Sequence, residues 1–326
     1  MKNFANQVSS QLSWQKTKLL ATGSLLLLLL LPALSNAQTF SQPRAAQLQT
    51  RLQNSFNKKT VKSGNAVTAN SPATFTVTPA DAGTNPLANI IQSLVGSGVT
   101  VSNIHTNLPA TSDIYGSFSG GATAVGINSG LIMTSGSVLN AIGPNISPST
   151  SQDNGLPGYP ALDSAGFDAS VISFDVKSTT AYLTFNYVFA SEEYNDYANT
   201  NLNDVFASLI SGPGITGSQN LAIIPGTATP VSINTVNNGN SGGVSTGPCM
   251  NCPYFVDNVG GGSVYYDGFT TVLTAKAAVQ PCQIYHIKLA IADIADGALF
   301  SAVFLKANSF NAGGVVKANP IYPAGF

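Results

Sequence analysis

Two stretches alternate apolar and polar residues strictly enough to constrain the whole architecture. Leu183, Phe185, Tyr187 and Phe189 share one face of an extended chain, and Tyr285, Ile287, Leu289 and Ile291 share another. Successive side chains on a strand point to opposite sides, so a one-residue slip would turn either set toward water. Each set must therefore meet a core. Shorter β-type runs, bounded by glycine and proline, surround these two: Val99–Ile104, Gly130–Thr134, Val171–Val176, Val205–Ser211, Asn220–Ile224, Val231–Val236, Thr270–Val279 and Ala302–Phe310. With 31 Gly, 18 Pro and only 8% charged residues, the chain suits a turn-rich extracellular β architecture better than a helical cytosolic enzyme. The expected fold class is mainly all-β, a β-sandwich or jelly-roll-like arrangement with one short N-terminal helix. That helix is read from Leu87, Ile90, Ile91, Leu94 and Val95 at helical spacing, with Thr84 and Asn85 as caps, Pro86 as the first helical residue and Gly96 as the stop.

The first 37 residues read as a cleavable export signal. Lys2, Lys16 and Lys18 precede an unbroken leucine run, Leu25 to Leu31, and Pro32 with Ser35-Asn36-Ala37 supplies a breaker and a small-residue cleavage site. The apolar run is short for a membrane anchor and is interrupted by Thr22, Gly23, Ser24 and Pro32. No membrane span is expected in the mature chain. Residues 38–75 form a polar stretch that reads as a linker or flexible arm, residues 76–312 the folded domain, and residues 313–326 a C-terminal tail. From residue 63 onward five basic residues face all 14 acids, a net charge of −9. A nucleic-acid binder would carry the opposite sign, so no nucleic-acid partner is expected.

Acids stand at the ends of expected strands: Glu192 and Glu193 after the first alternating run, Asp204 before Val205, Asp267 before Thr270, and Asp293 after Ile291. On extended backbone Glu192 and Glu193 would face opposite ways and could not work as a catalytic carboxylate pair. Calcium takes six to eight oxygen ligands, and loop-proximal carboxylates suit it, so these five residues are the candidate metal ligands and Ca2+ the candidate cofactor. The competing reading is that the acids cap turns and bind backbone amides. Asp293-Ile294-Ala295-Asp296-Gly297 lacks the spacing of an EF-hand loop.

Three cysteines, Cys249, Cys252 and Cys282, allow one intramolecular disulfide, the default for an exported protein. Cys282 paired with Cys249 or Cys252 is expected, and a local Cys249–Cys252 bond is the rival. A zinc site adding His286 is disfavoured, because Cys282 and His286 would lie about 13 Å apart on one strand. His286, sharing a face with Ile284 and Lys288, reads as a half-buried structural histidine. No phosphate loop, Gly-x-Ser-x-Gly or His-Glu-x-x-His motif occurs.

Several blocks in order carry a resemblance: Gly130-Leu131-Ile132-Met133-Thr134-Ser135-Gly136, Phe189-Ala190-Ser191-Glu192-Glu193-Tyr194, Leu202-Asn203-Asp204-Val205-Phe206, Tyr266-Asp267-Gly268-Phe269-Thr270-Thr271, Lys288-Leu289-Ala290-Ile291-Ala292-Asp293 and Ser301-Ala302-Val303-Phe304-Leu305. Over roughly residues 85–310 the chain resembles the choice-of-anchor L domain of secreted and surface bacterial proteins. The resemblance implies an extracellular location and varied C-terminal anchoring signals among members. The short stretch after Phe310 shows no apolar tail, which favours release or loose surface association. The expected function is a non-catalytic extracellular binding or adhesion module, stabilised by calcium, whose partner is extracellular matrix, a glycan or a surface protein. The alternatives are a structural subunit that pairs with itself in a fibre or matrix and, below it, a secreted hydrolase.

Overall fold

In a computed structural model, residues 74–146, 150–162, 166–241, 244–245 and 247–313 are described. The export signal, nearly all of the arm and the tail beyond residue 313 lie outside them. Two antiparallel sheets form a sandwich. The larger sheet runs in the order β1 (Thr76–Ala80), β3 (Ser112–Ser119), β4 (Ser129–Thr134), β15 (Ser301–Lys306), β6 (Tyr182–Ser191), β12 (Gly268–Thr270), β11 (Phe255–Asp257), with β13 (Leu273–Ala278) also on β6. The smaller runs β2 (Val99–Thr106), β5 (Gly166–Ser178), β14 (Ile284–Ile294), β7 (Val205–Ser211), β8 (Gln219–Asn220). A two-stranded ribbon joins β9 (Asn240–Ser241) to β10 (Val244–Ser245).

The two alternating stretches become the facing central strands. Leu183, Phe185, Tyr187 and Phe189 of β6 and Tyr285, Ile287, Leu289 and Ile291 of β14 are buried in one core between the sheets. The larger sheet is also covered on its outer side. Phe118, Ile132, Val188, Ala302 and Phe304 pack there with Phe75, Val138, Val264, Tyr266 and Phe300. Double burial explains why Leu131-Ile132-Met133 and Ala302-Val303-Phe304 read as continuous apolar runs rather than alternating ones. Phe75 packs against Phe118 and Phe304 with ring centroids 6.1 and 6.2 Å away, so the packed unit includes a residue assigned from sequence to the arm.

Helix α1 (Leu87–Leu94) buries Ile90, Ile91 and Leu94 as its spacing predicts, but its start differs. Pro86 is the N-cap, in extended conformation, with no side-chain cap bond. The turn before it is held by Asp81, whose carboxylate accepts from the backbone N–H groups of Gly83, Thr84 and Asn85. The Thr84 hydroxyl also donates to Asp81 Oδ2 at 2.7 Å, and that bond first, then the backbone ones, lower the Asp81 pKa to about 2.

Five strands escape the sequence pattern: β1 and β3, whose Thr, Ser, Gly and Pro content hides their alternation, and β9, β10 and β11, which are only two or three residues long. Conversely, Val231–Val236 is not a strand. Val231, Ile233 and Val236 are buried, but Thr235 Oγ1 accepts from Ser232 N at 2.8 Å and Val236 N donates to Ser232 O at 3.1 Å, closing a turn. The expected strand Thr270–Val279 is split into β12 and β13, and Phe189 N donates to Thr270 Oγ1 at 3.1 Å where the ladder breaks.

Cys249 is bonded to Cys252, with Cα atoms 5.6 Å apart, and Cys282 is free and exposed. The expected participation of Cys282 is therefore corrected. Asn251 takes a left-handed conformation (φ 48°) that folds the four-residue segment back on itself, and Cys282 sits in a separate turn before β14.

Candidate functional site

The loops that cross between the sheets gather the predicted acids at one end of the sandwich. β6 ends at Ser191 beside the starts of β12 and β15, and residues 192–204 then cross to the start of β7. β14 ends beside the starts of β5 and β7, and residues 295–300 cross back to β15. Glu192, Glu193, Asp204, Asp267 and Asp293 all lie at this end and are all buried. Three acids outside the predicted ligand set join them there, Asp168, Asp196 and Asp296, also buried. The signal that could have found them was present, since each flanks a strand terminus or sits in a crossing loop. The four lysines of the described residues, Lys177, Lys276, Lys288 and Lys306, stand on strands away from these loops.

The carboxylates differ in what holds them. Asp204 joins two strands: its Oδ1 accepts from Ile294 N at 3.0 Å and its Oδ2 from Ser301 Oγ at 2.7 Å. Asp168 accepts from Asn154 N and Leu156 N at 2.9 and 2.7 Å, yet burial still raises its pKa. Asp267 Oδ1 accepts from Asn145 Nδ2 at 2.8 Å. The chain turns directly after Ser191, with Glu193 O accepting from Asp196 N and Tyr197 N, so strand alternation no longer separates Glu192 from Glu193 and both are buried.

Asp293 differs from Asp204, Asp168 and Asp267: both of its carboxylate oxygens are buried and neither has a partner at full hydrogen-bond distance and angle, the Ser135 hydroxyl being the donor that acts on it. Ser135, Asp204 and Asp168 are the polar neighbours that act on it. Burial first, then the Asp204 charge, push its carboxyl well above the ordinary range. An ionised carboxylate in that position needs a positive counter-charge, and the surrounding donors are all oxygens, which fits a hard cation such as Ca2+ rather than zinc. Among the described residues no three His, Cys, Asp or Glu side chains converge at metal-ligand spacing. Asp204 and Asp293 are the two carboxylates that could hold an ion there, and any further ligands would have to be hydroxyl or backbone oxygens.

The second polar constellation lies on the outer face of the smaller sheet. Across adjacent strands Asp175, His286 and Ser211 stand side by side in register. Asp175 Oδ1 meets His286 Nδ1, and Oδ2 accepts from Asn103 Nδ2 at 2.6 Å. Asn103 reaches it because β2 bulges between Ser102 and His105, with Asn103 at φ 51°. His286 shares its face with Ile284 and Lys288 as expected, but its side chain is 68% exposed rather than half-buried. Ser211 makes no hydrogen bond to it, so the row is not an assembled nucleophile and base.

The family's sequence model matches residues 76–311 as the choice-of-anchor L domain, in agreement with the sequence blocks and with the limits of the sandwich. No curated protein and no solved structure matches the chain. No helix among the described residues is long and apolar enough to cross a membrane. With the match spanning nearly the whole sandwich, the chain belongs to the choice-of-anchor L domain family.

Proposed function

We propose that the protein is a non-catalytic extracellular binding or adhesion module whose acidic end is neutralised by calcium. Membership of the family points to an extracellular, surface-associated module. The observation that carries the calcium reading is Asp293: a carboxylate buried without a hydrogen-bond partner, against a second carboxylate that already ties the ends of β14 and β15 together. A divalent ion there would link the two crossing loops to both sheets. Weak affinity, about 10⁻⁴–10⁻³ M, suffices outside the cell.

A fibre subunit that grows by strand addition is less well supported. Such growth needs a long open sheet edge. Among the described residues four edges resist pairing with another chain, being a strand carrying Pro79, a bulged strand, and strands of three and two residues, and the fifth, β13, bonded only to β6, is open over just six residues.

The test has two arms. A tagged full-length copy imaged on its producing cells should mark the surface. The secreted protein, dialysed against calcium and analysed for elements, should hold bound metal. Metal-free protein with identical melting in calcium and in chelator would make these acids purely structural.

A further inference from the structure

The outer face of the smaller sheet holds an open groove of about 590 Å³ floored by β2, β5, β14 and β7. We propose that this groove is the ligand-binding site of the module and that its ligand is a neutral, hydroxyl-rich oligosaccharide; the inference rests on the binding-module reading above.

The groove's polar groups are pre-set rather than loose. Asp175 is buried on an otherwise solvent-facing side of the sheet, where a carboxylate has no packing role. Asn103 and His286 each donate to one of its oxygens, which leaves each oxygen a further lone pair, and Asp175 is among the residues that line the groove. With Nδ1 turned to Asp175, the opposite ring nitrogen of His286 is left for a ligand. On the other side, Lys288 Nζ donates to Tyr159 Oη at 2.8 Å and lies 5.3 Å from the Tyr159 ring centre, so the ammonium and the ring are held as one unit over the groove. The positive φ of Asn103 belongs to the same design, since without the bulge its amide would not meet Asp175.

The occupant follows from donors, acceptors and charge. A partner must donate to Asp175 and accept from Lys288 within one groove, and a sugar hydroxyl does both. The lining carries one carboxylate and one ammonium, so neither a polyphosphate nor a polycation finds a matching field. The groove is open along the sheet rather than enclosed, which admits a chain of sugar units. A site built to hydrogen-bond hydroxyls discriminates strongly against ligands that lack them.

The test uses the secreted full-length protein in calcium on an array of neutral oligosaccharides, with the best hit titrated by calorimetry. His286→Ala and Asn103→Gly, the latter keeping the left-handed backbone, should each weaken that hit tenfold or more while the protein still melts cooperatively, and Lys276→Ala on the other sheet should not weaken it. Hits that survive both groove variants at full affinity would overturn the site. Protein that adheres to its producing cells but binds no neutral sugar, or binds only peptides, would overturn the ligand class and leave the module reading standing. Protein that binds neither sugar nor cell would sink both readings.

Discussion

The acidic end and the sheet groove bury a carboxylate in opposite ways. At the groove, Asp175 is satisfied by two side-chain donors that belong to the fold, Asn103 and His286. At the acidic end, Asp293 is buried with no hydrogen-bond partner beside a second carboxylate. The first arrangement is complete by itself. The second is complete only when a proton or a cation is added. The difference teaches that burial of an acid is not one signal but two, separated by whether the protein brings its own donors.

The largest expected effect breaks the acidic end itself. Asp204→Ala removes the acceptor of a buried backbone N–H and a buried hydroxyl, and should cost about 3–5 kcal/mol of unfolding free energy, read by urea denaturation. A cost under about 1 kcal/mol would mean that the end is not held together by its carboxylates. Asp204 is accordingly a poor probe of metal alone.

Asp293→Asn is the cleaner probe, since it keeps shape and removes charge. Calcium at 100 times its dissociation constant should stabilise the wild type by about 2.7 kcal/mol, a melting shift of about 5–10 °C. The Asn variant should lose that shift and melt higher than the wild type in chelator at neutral pH. An equal calcium response in both proteins would move the ion away from Asp293.

In chelator, pH sharpens the same contrast. Because the folded Asp293 carboxyl titrates above its unfolded value of about 3.9, the native state holds an extra proton between the two. The stabilisation is full below the unfolded value and is lost as pH rises through the folded one, by up to about 1.4 kcal/mol per pH unit. A melting series at rising pH should show this decline, and Asp293→Asn or added calcium should flatten it.

The smallest expected change is at the groove. His286→Ala takes one donor from buried Asp175 but sits at a largely exposed side chain, and should cost about 1 kcal/mol in a calorimetric melt, well below the cost of Asp204→Ala. A larger loss would mean that the Asp175 arrangement serves the fold rather than a ligand.

Part of this was legible in one dimension. Period-two alternation is a local property of strands, so the central pair β6 and β14, and the small-sheet strands with one wet face, could be read directly. So could the helix, because Ile90, Ile91 and Leu94 mark one face. The acids at strand ends announced themselves as a group, and the ordered blocks from Gly130 to Leu305 pointed to the family that the domain match bears out. What the tertiary structure alone decided concerns partners distant in the chain. The cover over the larger sheet is what makes β4 and β15 continuous apolar runs with no dry and wet face, and local Ser and Thr hydrogen bonds turn Val231–Val236 away from a strand. Cys249 bonds Cys252 because Asn251 bends the chain between them, a choice that three cysteines leave open on paper. Asp175 was not noticed at all, since its two donors come from strands 72 and 111 residues away and one of them arrives through a bulge. Sequence spacing reports which face a residue takes. Whether a buried charge finds a donor depends on the register between strands and on the few residues where that register slips.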